Sequence, residues 1–368
     1  MTGRPPVAVD ARRLQDERLT GAGRQIAALL PHLAADFDLT LLADARRPLP
    51  RVELPVVAVS APRRAPELIW LELGAARWLR RFDGVFHGTF HTLPLTWRGP
   101  RVLTINDLAA QRHPEDFPMM RRQAWRYWVR QSVRSADVVL AISEFTRAEL
   151  YEHFHIPPER VLLARCALDP VFGPDRAADA GEVVAALGVT GPYVVAVGGA
   201  PRRALPVAIG AYRRATAVLG DGLSLVIVGE SAIAGESAAQ AGRRGEVRAG
   251  YLEEPAWAAV LAGAEALLYP TRYEGFGLPA LEAMASGTPV VATPVASLPE
   301  VLGDCAVWCE EGSADAMGDG LVGLFNDAGR RETLRAAGLA RAAAWPTWAD
   351  AARTTAEAYR SAWLGRRS

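Results

Sequence analysis

Glu274 and Glu282 stand eight residues apart around Gly275-Phe276-Gly277-Leu278-Pro279. Leu278 to Ala285 reads as a helix, with Pro279 near its first position, where a missing N–H costs nothing, and Gly287 placed to end it. Pro289-Val290-Val291-Ala292 then reads as a short buried strand. Gly275 and Gly277 bracket Phe276 in a loop with no side chain to block a close ligand. The free amides of a helix start favour an anion there. An eight-residue spacing is not a same-face helical pair, so the two carboxylates flank the helix start and reach in different directions. Carboxylates accept hydrogen bonds from vicinal hydroxyls, so the stretch suits an anionic ligand with a sugar on either side. The plainer alternative is a capping glutamate and a surface glutamate on a sheet-packing helix. The glycines and the proline between them favour a site.

Other residues offer weaker chemistry. Gly198-Gly199-Ala200-Pro201-Arg202-Arg203 follows a strand, and two guanidiniums at a Gly-rich strand end make a diphosphate clamp or a solvated pair. Gly21-Ala22-Gly23, after a first strand, reads as a loop that could cradle a phosphate. It is not a full dinucleotide fingerprint, because Ile26 sits where a third glycine would be. The carboxylates of Asp36 and Asp38 precede a strand instead of following one, which speaks against a metal–diphosphate role. His87 and His91 have an H-x3-H spacing but no third ligand in the run, so hydrogen-bonded histidines are expected. Arg122, Arg126, Arg130 and Arg134 recur at four-residue steps, opposite Trp125, Trp128 and Val129. A solvated stripe is the preferred account, and a patch for anionic lipid headgroups or a lipid-phosphate acceptor is the sharper one.

The elements that must position these groups alternate. Strands are expected at Pro6–Val9, Leu39–Leu42, Val56–Val59, Val85–His87, Arg101–Ile105, Ala136–Ile142 and Val161–Ala164. Helices are expected at about Arg24–Ala34, Pro66–Arg80, Pro118–Ser135 and, behind the N-cap Ser143, Glu144–Phe154. Asp169-Pro170-Val171-Phe172-Gly173-Pro174 breaks both periodicities and marks a linker. Strands then recur at Tyr193–Val197, Ser224–Val228, Val247–Ala249, Ala266–Tyr269, Pro289–Ala292 and Ala306–Trp308. A mostly helical stretch runs from Trp345 to Trp363. This α/β alternation argues doubly wound parallel sheets in two domains, 1–172 with about 347–368, and 173–346.

Composition sets limits on function. Half of the 368 residues are hydrophobic and 22% are charged, with 41 acids against 41 bases, so nothing suggests a nucleic-acid partner. Every base is arginine, and Asn106 and Asn326 are the two asparagines. Residues 1–13 lack the apolar core of a signal peptide, and no run approaches the ~18 apolar residues of a membrane helix. Cys166, Cys305 and Cys309 suit a reducing cytoplasm, the latter two as core residues. The expected location is the cytoplasm, with peripheral contact at the inner face of a membrane as a further option.

The run Glu274-Gly-Phe-Gly-Leu-Pro-Ala-Leu-Glu282, continued by Ala-Met-Ala-Ser-Gly-Thr-Pro-Val, resembles the E-x7-E signature of glycosyltransferase family 4. The likeness extends through Gly21-Ala22-Gly23-Arg24, Thr104-Ile105-Asn106-Asp107-Leu108, Ile142-Ser143-Glu144-Phe145-Thr146, Gly250-Tyr251-Leu252 and Leu298-Pro299-Glu300-Val301, and the closing segment resembles the family's crossover helix. Mannosyltransferase-like members of polysaccharide or lipopolysaccharide assembly are nearest. The resemblance implies a GT-B fold, two Rossmann-like domains about a cleft, the second holding the donor. It implies retaining transfer of a hexose, mannose first, from a GDP- or UDP-sugar to a glycan, lipid-linked or other acceptor. No metal or other cofactor, and no established protein nucleophile, is implied. By the same resemblance Glu274 would hold sugar hydroxyls, Glu282 the ribose, and Gly275, Phe276, Gly277 and Leu278 would present amides to the donor. Arg202 and Arg203 would neutralise the departing diphosphate. Gly21 and Gly23 would approach the phosphates from the first domain, and Gly199, Tyr251 and Leu252 complete the donor-binding set.

The chain departs from the family pattern at three places. Arg202-Arg203-Ala204 replaces Arg-Lys-Asn, and Cys166-Ala167 replaces Asn-Gly, both in keeping with a chain without lysine and almost without asparagine. Asn106 stands where the family has the histidine of His-Asp-Leu, and drift does not account for it. An amide can hydrogen-bond a sugar but does not titrate near neutral pH. Three readings therefore follow: a retaining glycosyltransferase, a GT-B scaffold that binds a nucleotide sugar or a partner protein with weak or no transfer, and a dinucleotide-dependent oxidoreductase. The third is disfavoured because neither Gly-rich loop completes G-x-G-x-x-G.

Overall fold

A computed structural model describes residues 4–50, 52–229 and 245–365. They divide into two compact units, one running to Ala167 and taken up again from Pro346, the other spanning Leu168–Trp345.

The first unit is built on a seven-stranded sheet: β1 (Pro6–Asp10), β2 (Asp38–Asp44), β3 (Val56–Val59), β4 (Val85–Gly88), β5 (Arg101–Ile105), β6 (Val138–Ala141) and β7 (Val161–Leu163). Its order is β3-β2-β1-β4-β5-β6-β7, and every pairing is parallel. Parallel strands are covered on both faces, so they read as continuous apolar runs; Val138-Val139-Leu140-Ala141 is buried throughout. One face carries the helix Gly21–Leu33, which turns in Ile26, Leu29, Leu30 and Leu33. The same face carries the last helix, Trp348–Gly365, through Ala351, Ala352, Ala356, Tyr359 and Ala362. The crossover expected of the closing segment is thus present. The opposite face is covered by a core that includes Trp70, Leu79, Val129 and Val133.

Tyr359 is fully buried, stands edge-on to Phe37 at 5.1 Å, and shares a 2.7 Å hydrogen bond with His87 Nδ1. His87 Nε2 is 2.8 Å from Thr104 Oγ1, so both ring nitrogens are used and the expectation of a hydrogen-bonded histidine holds. Burial pushes the His87 pKa down to about 4. The unfolded imidazole titrates near 6.5, so between these values the unfolded chain binds the extra proton. Stability from this group is full above pH ~6.5 and is lost as pH falls towards 4, by roughly 3 kcal/mol. Urea midpoints across pH 4–7 should show this fall, and Tyr359→Phe, which strands a buried imidazole nitrogen, should cost ~1–3 kcal/mol at pH 7. Unchanged midpoints in that variant would contradict the assignment.

The second unit repeats the plan with six strands: β8 (Tyr193–Val197), β9 (Ser224–Val228), β10 (Glu246–Gly250), β11 (Ala266–Tyr269), β12 (Val290–Ala292) and β13 (Ala306–Trp308). The order is β10-β9-β8-β11-β12-β13, again all parallel. The expected doubly wound α/β architecture is met in both units. The helix Leu205–Leu219 buries Leu205, Ala208, Ile209 and Tyr212 against this sheet, together with Met317, Leu321 and Leu324 of the helix Ala314–Asn326.

Three local features differ from expectation. The first helix starts at Gly21 and not at Arg24, because Thr20 takes up the extended cap geometry and its carbonyl already accepts from Arg24 N at 2.9 Å. The helix expected at 66–80 is interrupted by a π-helical turn, Trp70–Ala75. A short helix, Ala109–Arg112, and several 3-10 turns were not foreseen. Ser143 is the N-cap expected of it, its Oγ accepting from Thr146 N at 3.0 Å. All three cysteines are buried, and burial raises the Cys166 thiol to about 12. Among the described residues no helix is long and apolar enough to cross a membrane.

Candidate functional site

In the second sheet the strand order reverses between β8 and β11, so the loops leaving their carboxyl ends part and open a crevice. The loop after β8 is Gly198–Ala200, closed by the 3-10 turn Pro201–Arg203; the loop after β11 holds Thr271 to Gly277. These loops contain the arginine pair and the glutamate picked out in the sequence.

The two loops are fastened to one another. Arg202 O accepts from Arg272 N at 2.8 Å and from Thr271 Oγ1 at 3.1 Å. Thr293 Oγ1 donates to Thr271 O at 2.5 Å, and Ser297 Oγ to Glu274 O at 2.9 Å, so the segment that follows β12 holds the glutamate loop. Glu274 Oε1 then accepts from Tyr269 OH at 2.8 Å and from Arg203 Nε at 3.4 Å, while Arg203 Nη1 donates to Gly198 O at 2.8 Å. Burial works against the Arg203 charge, but the Glu274 carboxylate, in charge and in hydrogen bonding, outweighs it and holds the guanidinium pKa above its usual value. Burial, reinforced by Glu274, keeps Tyr269 a neutral donor far above the usual phenol range. The result is a fixed cation and a fixed anion side by side on a bonded frame, and no reorganisation is needed to place them.

The glycine loop serves two purposes. Gly277 caps the helix Leu278–Ala285 at φ +98°, and a Cβ there would come within 2.6 Å of Leu298 Cδ2, so only glycine fits. Pro279 has no N–H, and Ala280 N is bonded to Gly277 O. By helix geometry the Leu278 amide lacks an intrahelical acceptor and remains as an anion donor. Gly199, exposed at φ +113°, borders the other loop. Phe276 contributes backbone only, since its ring is buried edge-on against Trp345 at 5.7 Å. Glu282 has a different partner from Glu274: it is 1% exposed, and its Oε2 accepts from Trp257 Nε1 at 2.7 Å. Trp257 lies in the helix Glu254–Ala262, which begins two residues after Leu252, so this bond ties the second carboxylate to that helix.

Gly21, Gly23 and Asn106 belong to the first unit. The loop expected at Gly21-Ala22-Gly23 is corrected to helix: both glycines lie in the first turn. The missing Cβ of Gly23 has a packing reason, since one would meet Arg13 O at 2.8 Å and Leu19 Cδ2 at 3.0 Å. Asn106 follows β5 and is buried, and its Nδ2 donates to Gln25 Oε1 at 3.0 Å. Its Oδ1 is buried without a partner among the described residues. Gln25, Tyr269, Trp257 and Asp10 are further polar or aromatic residues that no motif in the sequence marks. Asp10 ends β1 at the first sheet's own reversal point, beside β4, paired with Arg12 through bonds of 2.9 and 2.6 Å and with Thr89 Oγ1 donating to its carbonyl. Polar residues closing strands β1 and β11 were the available signal. Among the described residues no group of three histidine, cysteine or acidic side chains could hold a metal ion.

Residues 19–172 match the family described as Glycosyltransferase Family 4, and residues 191–327 match Glycosyl transferases group 1. The O-antigen chain mannosyltransferase B of Escherichia coli is 29% identical over 285 residues, covering 76% of this chain and 74% of that protein. Among solved structures, the sucrose-phosphate synthase of Thermosynechococcus elongatus superposes with a TM-score of 0.80 at 19% identity, over 99% of this chain and 100% of that one. Anabaena HepE in complex with UDP and glucose gives a TM-score of 0.74 at 16% identity, over 96% of this chain and 99% of that one. The fold is the one shared by these GT-B glycosyltransferases.

Proposed function

The chain belongs to glycosyltransferase family 4, the group 1 glycosyltransferases, and we propose that it is a retaining hexosyltransferase that uses a nucleotide-sugar donor. Mannose is the sugar we assign first, from the likeness to an O-antigen mannosyltransferase, and a glycan or lipid-linked glycan is the acceptor class. A UDP- or GDP-sugar is the donor; the UDP complex of HepE supports the nucleoside-diphosphate part. The observation that carries the reading is the bonded frame at the β8/β11 reversal, with Arg203 3.4 Å from Glu274 beside a helix start.

As the bond from the anomeric carbon to the diphosphate breaks, negative charge grows on the leaving oxygens. Arg202, Arg203 and the amides of Gly275 to Leu278 would meet that charge from positions fixed beforehand, which accelerates the step without a general base. Glu274 would accept hydrogen bonds from the sugar, and Glu282, steadied by Trp257, from the ribose. Catalysis of this kind asks no metal of the protein. Stabilisation against heat by UDP or GDP, with none from NAD, tests the donor class, and a reversed pattern would refute it.

Asn106 motivates a second reading, a nucleotide-sugar-binding scaffold with weak transfer. Its amide is locked to Gln25 and cannot titrate where the family has histidine. For the enzyme reading, wild type turns over with no titration near pH 6.5, and Asn106→His introduces one. If wild type shows no turnover with any donor and Asn106→His restores it, the scaffold reading replaces the first.

A further inference from the structure

The first unit has a cavity of about 540 Å³ that the site above does not use. It is lined by Arg98, Arg101, Arg134 and Arg160, with Asp137 and Ser361 beside them. Arg101 opens β5 and Asp137 immediately precedes β6, so the cavity lies at the amino edge of the sheet. Asn106 follows the far end of the same β5 strand, roughly 16 Å away at ~3.3 Å per residue. The cavity is therefore on the opposite edge of this sheet from Asp10 and Asn106.

Four guanidiniums around one carboxylate leave this lining at about three positive charges, in a chain whose acids and bases balance at 41 each. Arg101 is 4% exposed, so one of these charges is sunk in the wall, while Arg98 and Arg134 are exposed. Arg160 is oriented by the carbonyls of Val133, Arg134 and Ala136, which end the helix Met119–Ser135. Those contacts fix its position. Asp137 Oδ2 accepts from Arg101 N at 2.7 Å, so the one lining carboxylate is partly spent on the backbone. Confined like charges repel, and an anion that bridges them relieves the repulsion. Planar guanidinium forks match phosphoryl oxygens in pairs. Arg134 is the last member of the four-residue arginine stripe, so one end of that stripe opens into this cavity.

We propose that this cavity is a second anion site that binds a phosphate or diphosphate group, free or carried on a lipid headgroup. Inorganic pyrophosphate is the probe, titrated calorimetrically into the full chain carrying Arg202→Gln and Arg203→Gln, so that the donor crevice does not report. One binding event is expected, and adding Arg98→Gln and Arg134→Gln should weaken it at least tenfold. Both of these arginines are exposed, so the fold should be kept, and an unchanged melting temperature checks this. Sedimentation with phosphatidylcholine vesicles, with and without phosphatidic acid, separates the sources. Binding to the acidic vesicles that is lost in the Arg98/Arg134 variant assigns a headgroup, and pyrophosphate binding without vesicle binding assigns the free anion. Absence of both kinds of binding, or binding indifferent to Arg98 and Arg134, overturns the site.

Discussion

Nucleoside-diphosphate binding should be lost when Arg202 and Arg203 are both changed to glutamate. Each charge-assisted contact to a phosphate contributes ~1.5–3 kcal/mol, so removing two and replacing them with like charge should weaken UDP or GDP by roughly 10³-fold or more. The two arginines are not equivalent. Arg203 also ties Glu274 to Gly198 O, so its reversal disturbs the glutamate loop as well as the clamp. Arg202 holds that loop through its carbonyl, which mutation leaves in place. Arg202→Glu alone therefore reads the loss of the guanidinium with the frame intact, and should account for at least tenfold. Calorimetric titration of UDP and GDP measures both variants, and binding retained in the double variant would remove the clamp.

The second large effect is expected at Glu274. Replacement by alanine should lower kcat by roughly 10²–10³-fold, the scale of losing one pre-placed electrostatic group, with KM for the donor changed only a few-fold. Glutamine should fall between, because it can still accept from Tyr269 OH while no longer pairing with Arg203. Glu282→Ala should do the opposite and raise KM, since that carboxylate is fastened to Trp257, while its charge also favours the Arg203 guanidinium. Steady-state kinetics on the three variants separates the roles. A Glu274→Ala variant that raises KM with kcat intact would exchange the two assignments.

Much of this was legible in the chain. Strands β8, β9, β11 and β13 and the helix Leu278–Ala285 carry the bounds expected from apolar runs and from Gly and Pro punctuation, because buried parallel strands leave little ambiguity in pattern. The helix start at Gly21 is not legible, since a glycine pair signals a loop by conformational freedom, whereas Gly23 lets the helix approach Arg13 O. Glu274 and Arg203 could be singled out by type and spacing, but their pairing crosses 71 residues and depends on strand order, which local pattern does not carry. In the sequence Tyr269 is the last residue of a strand, and its hydroxyl acquires meaning only once Glu274 is folded back to accept from it. The same holds for Gln25, whose partner Asn106 lies 81 residues on.

The most direct test of the central claim is release of nucleoside diphosphate from a panel of UDP- and GDP-hexoses, with a mannose-terminated glycan acceptor, followed by NMR of the product linkage. The account predicts release from one donor that rises with acceptor, falls at least ~10²-fold in Glu274→Ala, and yields a glycoside with the donor's anomeric configuration. Release unaffected by Glu274→Ala, or a product of inverted configuration, would contradict it.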